Sequence, residues 1–147
     1  MEKLIKRESP MKSKKLRMIA ARGMFLLSLG LTAPFSWALD AQGFQKQYSA
    51  EAKQPASSAR GEQFFTSKHG KEWSCATCHN APPTTDGKHA STDKTIAPLA
   101  PAYNAKRFTD EAKVNKWFKR NCNDVLAREC SSLEKADVMA YLNNLKK

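Results

Sequence analysis

The chain lacks a long apolar run, an internal repeat and an alternating strand pattern, and each absence argues against a class of fold. Its longest apolar run, residues 24–34, is about a dozen residues long, below the roughly 20 that a membrane-spanning helix needs. The sequence shows no internal repeat and no alternating strand pattern, and its 147 residues leave room for one main domain. An apolar content of 41%, with seven Phe and three Trp, is enough for a small core. The composition therefore favours one small helical domain.

The positive charge is also less informative than it first looks. The formal net charge is +11, but the N-terminal segment, residues 1–38, holds eight Lys or Arg against two Glu. The rest of the chain, residues 39–147, is left with a modest excess of five positive charges. Such a surface suits acidic protein partners better than DNA, so we expect no nucleic-acid binding.

This N-terminal segment has the three parts of a secretory signal peptide. Residues 1–22 are basic, residues 24–34 are apolar, and Ser36 and Ala38 are small residues at the positions that a signal peptidase recognises. We predict cleavage after Ala38 and export to the periplasm as a soluble protein. An uncleaved membrane anchor is the alternative, and Met11 is a second candidate for the start of translation.

Three main helices are predicted in the exported part. Residues 39–57 are small, polar and weakly periodic, and we expect an N-terminal tether or a poorly fixed helix there. The domain is predicted to span residues 58–147, with helices over residues 59–68, after Asp110, and after a capping box at Ser131 and Glu134. Residues 80–101 contain four Pro and predict a loop that wraps a bound group.

Residues 75–79, Cys-Ala-Thr-Cys-His, carry the clearest chemistry. Two thiols three residues apart can each add to one vinyl group of a porphyrin, and the adjoining imidazole then becomes the proximal iron ligand. A zinc site and a thioredoxin-like redox pair are the alternatives. The zinc site lacks a second close pair, since seven residues separate Cys122 and Cys130, and no strand is predicted before Cys75. We therefore predict one covalent haem c on Cys75 and Cys78, with His79 as proximal ligand.

The sixth iron ligand decides between electron transfer and gas binding. Beyond the predicted leader, Met139 is the one methionine, and its place in the last helix predicts a core residue. His69 and His89 lie close to the haem motif in sequence and are weaker candidates, with a surface or supporting role favoured for both.

Asn121 is the stronger candidate by position, because it shares a helix face with Val114, Trp117 and Phe118. The alternative is that it caps the C-terminus of that helix. The next residue, Cys122, and Cys130 are the remaining cysteines, and in an oxidising compartment they predict a disulfide, with free thiols as the alternative.

The sequence resembles the SHP-type cytochromes c, a variant of the class I cytochrome c fold. The resemblance rests on residues 75–79, 96–101, 107–110, 116–122 and 128–130, and above all on the pattern Trp-Phe-x-x-Asn-Cys at residues 117–122. It implies an all-α fold around one haem, Asn121 as a ligand of ferric iron that is released on reduction, and a disulfide between Cys122 and Cys130. It also implies oxygen or nitric oxide as gas ligands, and a dihaem cytochrome c and a membrane cytochrome b as electron donors.

Two functions follow for testing. In one, the reduced haem binds diatomic gases, with reductase or peroxidase activity on oxygen, nitric oxide or peroxide left open. In the other, the protein is a simple electron carrier whose sixth ligand never leaves. A carbon monoxide difference spectrum of the reduced protein separates them, because only an open iron site binds that gas.

Overall fold

The computed structural model describes residues 39–70 and 72–147. The predicted signal peptide, residues 1–38, lies outside this part and stays a prediction. Within the described ranges no helix has the length and apolar character needed to cross a membrane.

Helices dominate the described chain, and each begins at a side chain that accepts a backbone N–H. Asp40, Ser57, Ser74, Asp110 and Ser131 fill these N-cap positions. The helices are α1 (Ala41–Ala52), α2 (Ser58–Thr66), α3 (Cys75–His79), α4 (Glu111–Leu126) and α5 (Ser132–Asn144). The all-α prediction is confirmed, with α2, α4 and α5 as the three predicted helices.

A small hairpin interrupts the Pro-rich segment between α3 and α4. Strands β1 (Gly87–Lys88) and β2 (Thr95–Ile96) pair antiparallel, with Gly87 opposite Ile96. No sign of these strands was visible in the sequence, because two residues per strand are too few to form an alternating pattern.

Of the two expectations for residues 39–57, a tether or a poorly fixed helix, the structure has a helix, because most of these residues form α1, and the helix is well packed. This helix packs against α5 and places Phe44 and Tyr48 in the core at 0% and 2% exposure. The Tyr48 hydroxyl donates to Asn115 Oδ1 on α4 at 3.0 Å. Two aromatic residues four apart in an otherwise polar segment make too weak a pattern to reveal this packing, which depends on partners far along the chain.

Helix α5 lies at the centre of the fold. Its residues 136–142 are all buried, as expected of a helix that has neighbours on several sides. One core cluster joins α5 to α1 and α4, and a second joins it to α2. Met139 belongs to the first cluster at 0% exposure, which confirms its prediction as a core residue.

The crossing of α2 and α5 is tight. A Cβ on Gly61 would lie 1.9 Å from the Asp137 carbonyl oxygen, so only glycine allows this approach. The buried Asp137 carboxylate accepts from the Ser57 backbone N–H at 2.6 Å and from two guanidinium nitrogens of Arg60 at 2.8 Å each. These contacts hold α2, and therefore the start of the segment that leads to α3, in place on α5.

Candidate haem site

The short helix α3 carries the predicted attachment residues. Ser74 and Thr77 form a capping box: Thr77 N–H donates to Ser74 Oγ at 3.2 Å, and Ser74 N–H donates to Thr77 Oγ1 at 2.9 Å. The cap winds the segment into a turn of helix, which places both thiols and His79 on one short element. Neither Cys75 nor Cys78 is in a disulfide.

The thiol of Cys75 is held in its neutral form. Burial raises the pKa of Cys75 to about 11, and its side chain packs against the second core cluster. Across residues 39–70 and 72–147 no group of three or more His, Cys, Asp or Glu side chains could hold a metal ion. The zinc alternative therefore has no support in the described chain.

His79 is also held neutral. Burial first, and then the nearby Arg107 cation, lower the pKa of His79 to about 4. Its ring lies 6.3 Å from the ring of Phe65, a core residue of α2. A neutral imidazole keeps the lone pair that a metal ligand needs.

The β1–β2 hairpin lies against α3. A Cβ on Gly87 would stand 2.0 Å from the Cys78 carbonyl oxygen and 3.1 Å from the His79 Cα. The Ala90 backbone N–H reaches the Cys78 Sγ at 3.4 Å, and the Asn80 side-chain amide donates to the Asp86 carbonyl at 2.9 Å. The Pro-rich segment therefore folds back over the backbone of the haem motif.

Sequence reasoning missed these supporting residues. Ser74 and Thr77 carry a recognisable capping signal, but Gly87 and Ala90 have no local pattern that points to the cysteines. Their role follows only from the contact between the hairpin and α3.

Asn121 lies on α4, which continues for five residues beyond it to Leu126 and is capped by Ala127. The alternative that Asn121 caps this helix is therefore wrong. Its side chain is exposed, and among the described residues no hydrogen bond to it is found. The Asn121 amide can therefore bind a group that is not part of the polypeptide.

The predicted shared face of α4 divides into two stripes. Val114, Cys122 and Val125 are buried, and Phe118 is partly buried. Trp117 is 48% exposed and, like Asn121, faces solvent. Arg120 lies 5.5 Å and Lys116 5.9 Å from the centre of the Trp117 ring.

The structure pairs Cys122 with Cys130, with the sulfur atoms 2.00 Å apart and the Cα atoms 5.6 Å apart. Both residues are buried. Beside this bridge, Arg128 donates to the Glu134 carboxylate at 2.6 and 2.8 Å, which ties the turn to the capping box of α5.

The two histidines outside the motif have local partners. His69 Nε2 donates to the Phe64 carbonyl at 2.7 Å, and its ring lies 4.4 Å from the Phe64 ring. His89 Nδ1 lies 3.3 Å from the Ser91 hydroxyl within the hairpin turn. These contacts fit the supporting roles predicted for both residues.

The structure therefore brings Cys75, Cys78 and His79 together on α3, and Asn121 beside the disulfide on α4. Both helices pack on the second core cluster, α3 through Cys75 and α4 through Phe118. No direct contact joins Asn121 to His79 among the described contacts.

Comparison with known proteins identifies the class of protein. The family model "domain of unknown function DUF1924" matches residues 51–142. The chain is 48% identical over 99 residues to the cytochrome c-type protein SHP of Cereibacter sphaeroides, covering 65% of this chain and 76% of that protein.

Two solved structures support the same class. Oxidised SHP, described as an oxygen-binding cytochrome c, superposes with a TM-score of 0.67 at 44% identity, over 72% of this chain and 97% of that one. The solution structure of Methylophilus methylotrophus cytochrome c'', described as giving insights into haem-ligand detachment, has a TM-score of 0.65 at 40% identity, over 73% and 94% of the two chains.

These matches define a c-type cytochrome with an all-α, class I-like fold and one covalently attached haem c. The chain belongs to the DUF1924 family and is similar to SHP. The donor groups of α3 fit this cofactor, since both thiols are free of a disulfide and the imidazole is neutral.

Proposed function

We propose that the chain is an exported monohaem cytochrome that binds a diatomic gas in its reduced form. Cys75 and Cys78 carry the haem, and His79 is its proximal ligand. Asn121 is the distal ligand in the oxidised protein and leaves on reduction. The haem supplies a one-electron couple and, when reduced, a site for oxygen or nitric oxide.

One observation carries the proposal: Asn121 presents an exposed amide with no partner among the described residues, in the middle of a helix. Asn has a modest helix propensity and is more often a cap or turn residue, where its amide bonds to nearby backbone. Here it does neither. Trp117, one turn earlier, adds an exposed aromatic surface suited to a porphyrin.

The chemistry of an amide explains why such a ligand would leave. A carboxamide oxygen is a hard and weak donor, so it binds ferric iron better than the softer ferrous ion. Each 1.4 kcal/mol of lost affinity changes the bound fraction about tenfold when binding is weak. One added electron can therefore move the site from mostly closed to mostly open.

The disulfide constrains the backbone beside Asn121. It joins residues eight apart in sequence, so it closes a loop of nine residues. By the chain-entropy estimate such a loop is worth about 2.5 kcal/mol of stability. We propose that the bridge keeps the backbone at Asn121 in one place while the side chain binds and releases.

Export to the periplasm and electron donors are also part of the proposed function. Export rests on the signal-like leader, residues 1–38, and on the disulfide, which is typical of an oxidising compartment such as the periplasm. Oxygen binding is supported by the description of SHP, and ligand release by that of cytochrome c''. A dihaem cytochrome c and a membrane cytochrome b are proposed as donors by family resemblance.

Absorption spectra of Asn121→Ala test the distal ligand. Removing the amide should convert the ferric protein from low spin to high spin, while the haem stays attached. Asn123→Ala is the matched control, because Asn123 lies on the same helix and its amide donates to the Lys119 carbonyl at 2.9 Å. We expect the control to keep the wild-type ferric spectrum.

Two results would contradict the proposal. A ferric spectrum that is unchanged in Asn121→Ala would remove Asn121 as a ligand. A reduced wild-type spectrum indifferent to carbon monoxide would favour the simple electron carrier with a permanent sixth ligand.

A further inference from the structure

Asn80 directly follows the predicted proximal ligand and has a strained backbone. Its φ is 64° and its ψ is 173°, a combination that is essentially restricted to glycine. Lys53 and Ala127, which end α1 and α4, also have positive φ, but with ψ of 32° and 20° they lie in the left-handed helical region that other residues adopt more readily. The conformation of Asn80 therefore costs free energy that the surrounding structure must offset.

Hydrogen bonds from the backbone and the side chain hold Asn80 in this conformation. Its backbone N–H donates to the Ala76 carbonyl at 2.9 Å. Its side-chain Nδ2 donates to the Asp86 carbonyl at 2.9 Å and to the Thr85 Oγ1 at 3.2 Å. The amide therefore ties the end of α3 to the two residues that precede strand β1.

This tie acts close to His79. Gly87, the residue after Asp86, lies so near α3 that a Cβ on it would stand 3.1 Å from the His79 Cα and 2.0 Å from the Cys78 carbonyl oxygen. Because the Asn80 amide holds the Asp86 backbone, it also holds Gly87 against the last residue of α3. The His79 backbone is thus fixed from two directions, by the next residue in the chain and by the hairpin.

Stability alone does not account for this arrangement. Asn80 is exposed, so water competes for its amide bonds, and the net stabilisation that such bonds bring is small. Strained residues held in place by the structure around them cluster at functional sites, where position matters more than stability. A histidine that ligates a metal likewise depends on the groups around it for its orientation.

We infer that the Asn80 side chain positions His79 and so fixes the plane of its imidazole on the haem iron. Asn80 is a positioning residue, because it acts through the His79 backbone and through the hairpin. Its effect matters most in the reduced protein, where Asn121 has left and His79 is the remaining axial ligand from the chain. The inference rests on the proposed role of His79 as proximal ligand.

Proton NMR spectra of the ferric holoprotein, recorded with cyanide as sixth ligand, test this role. Cyanide replaces a weak distal ligand, so variants compared in this way differ only on the proximal side. In low-spin ferric haem the shifts of the haem methyl groups depend on the plane of the axial imidazole. In Asn80→Gly the backbone keeps its conformation without strain, while the amide bonds are lost. We expect a narrower spread of methyl shifts than in the wild type, because the imidazole then samples more orientations.

Two further variants serve as controls. Asn123→Ala removes an amide that donates to a backbone carbonyl at the same distance, 2.9 Å, but on α4. Lys53→Gly relieves a positive φ at the end of α1. Both should keep the wild-type methyl shifts. Asn80→Ala, which loses the amide and stays strained, should change the shifts at least as much as Asn80→Gly does.

Methyl shifts in Asn80→Gly equal to those of the wild type would overturn the inference, since the residue would then only form the turn. A change of similar size in Asn123→Ala would overturn it as well, because the loss of any surface amide would then have the same effect. The test does not depend on Asn80→Ala folding, because Asn80→Gly carries it. These spectra require no gas binding, so carbon monoxide binding by the reduced wild type tests the proposed function separately.

Discussion

Around α3 several distant parts of the chain press on the haem motif, whereas the Asn121 amide on α4 meets no partner among the described residues. The Phe65 ring lies 6.3 Å from the His79 ring, and the hairpin at Gly87 lies against the α3 backbone. On α4 the buried stripe and the disulfide hold the backbone, but the Asn121 side chain is free of them. Under the proposed function, the packing around α3 would keep His79 in place, while the Asn121 side chain could leave the iron without breaking a hydrogen bond to the described residues.

The largest expected loss of stability comes from Gly87→Ala, which disrupts the contact between the hairpin and α3. The added Cβ would lie 2.0 Å from the Cys78 carbonyl, a backbone atom that cannot turn aside. Overpacking of this kind costs up to about 3 kcal/mol of unfolding free energy. Denaturant unfolding of the holoprotein measures it.

Gly43→Ala is the control for this substitution. Its Cβ would lie 2.9 Å from the flexible Leu39 side chain and 3.4 Å from the Asp40 Oδ1, and no backbone atom is among these neighbours. Alanine also favours a helix over glycine by roughly 0.5 to 1 kcal/mol. We expect stability to hold or rise. Equal losses of unfolding free energy in both variants would mean that the contact between the hairpin and α3 does not cause the loss.

A slightly smaller loss of stability should follow from removing the disulfide beside Asn121, in the double variant Cys122→Ser and Cys130→Ser. The unfolding free energy should fall by about 2.5 kcal/mol, the value of a nine-residue loop. The ferric low-spin fraction should fall with it if the bridge positions Asn121. The comparison is wild-type protein whose disulfide has been reduced and alkylated and whose haem has then been reoxidised. A ferric low-spin fraction unchanged in both would show that the bridge does not position Asn121.

The smallest effect concerns the ion pair beside the bridge, tested by Glu134→Gln. Its hydrogen bond with Arg128 lowers the pKa of Glu134 below its usual 4.5. A carboxylate with a lowered pKa in the folded state adds stability above its unfolded pKa, and this is lost as the pH falls through the folded value. We expect the variant to lose about 1 kcal/mol at pH 7.

The same substitution should cost progressively less as the pH drops below about 4.5, because the wild-type carboxyl is then protonated first in the unfolded chain and, at lower pH, in the folded protein. Unfolding free energies at pH 7 and pH 3.5 measure this. A loss of equal size at both pH values would show that the charge of Glu134 contributes nothing.

Several features were predictable because they depend on neighbours in sequence. The caps at Asp110 and Ser131 lie three residues from the groups they bind, so residue type and spacing reveal them. The burial of Met139 followed from helical spacing in an apolar segment. The firm packing of α1 was not predicted, because Phe44 and Tyr48 acquire their role only against α4 and α5, which lie near the other end of the chain.

The sequence by itself determined the haem attachment motif and a strong candidate for the distal ligand, because two thiols and an imidazole at fixed spacing define their chemistry locally. Only the tertiary structure decided which groups surround them. Gly87 reaches Cys78 through a contact that no local pattern encodes. The physical reason is that burial and unpaired charge depend on what the folded chain brings together from distant positions.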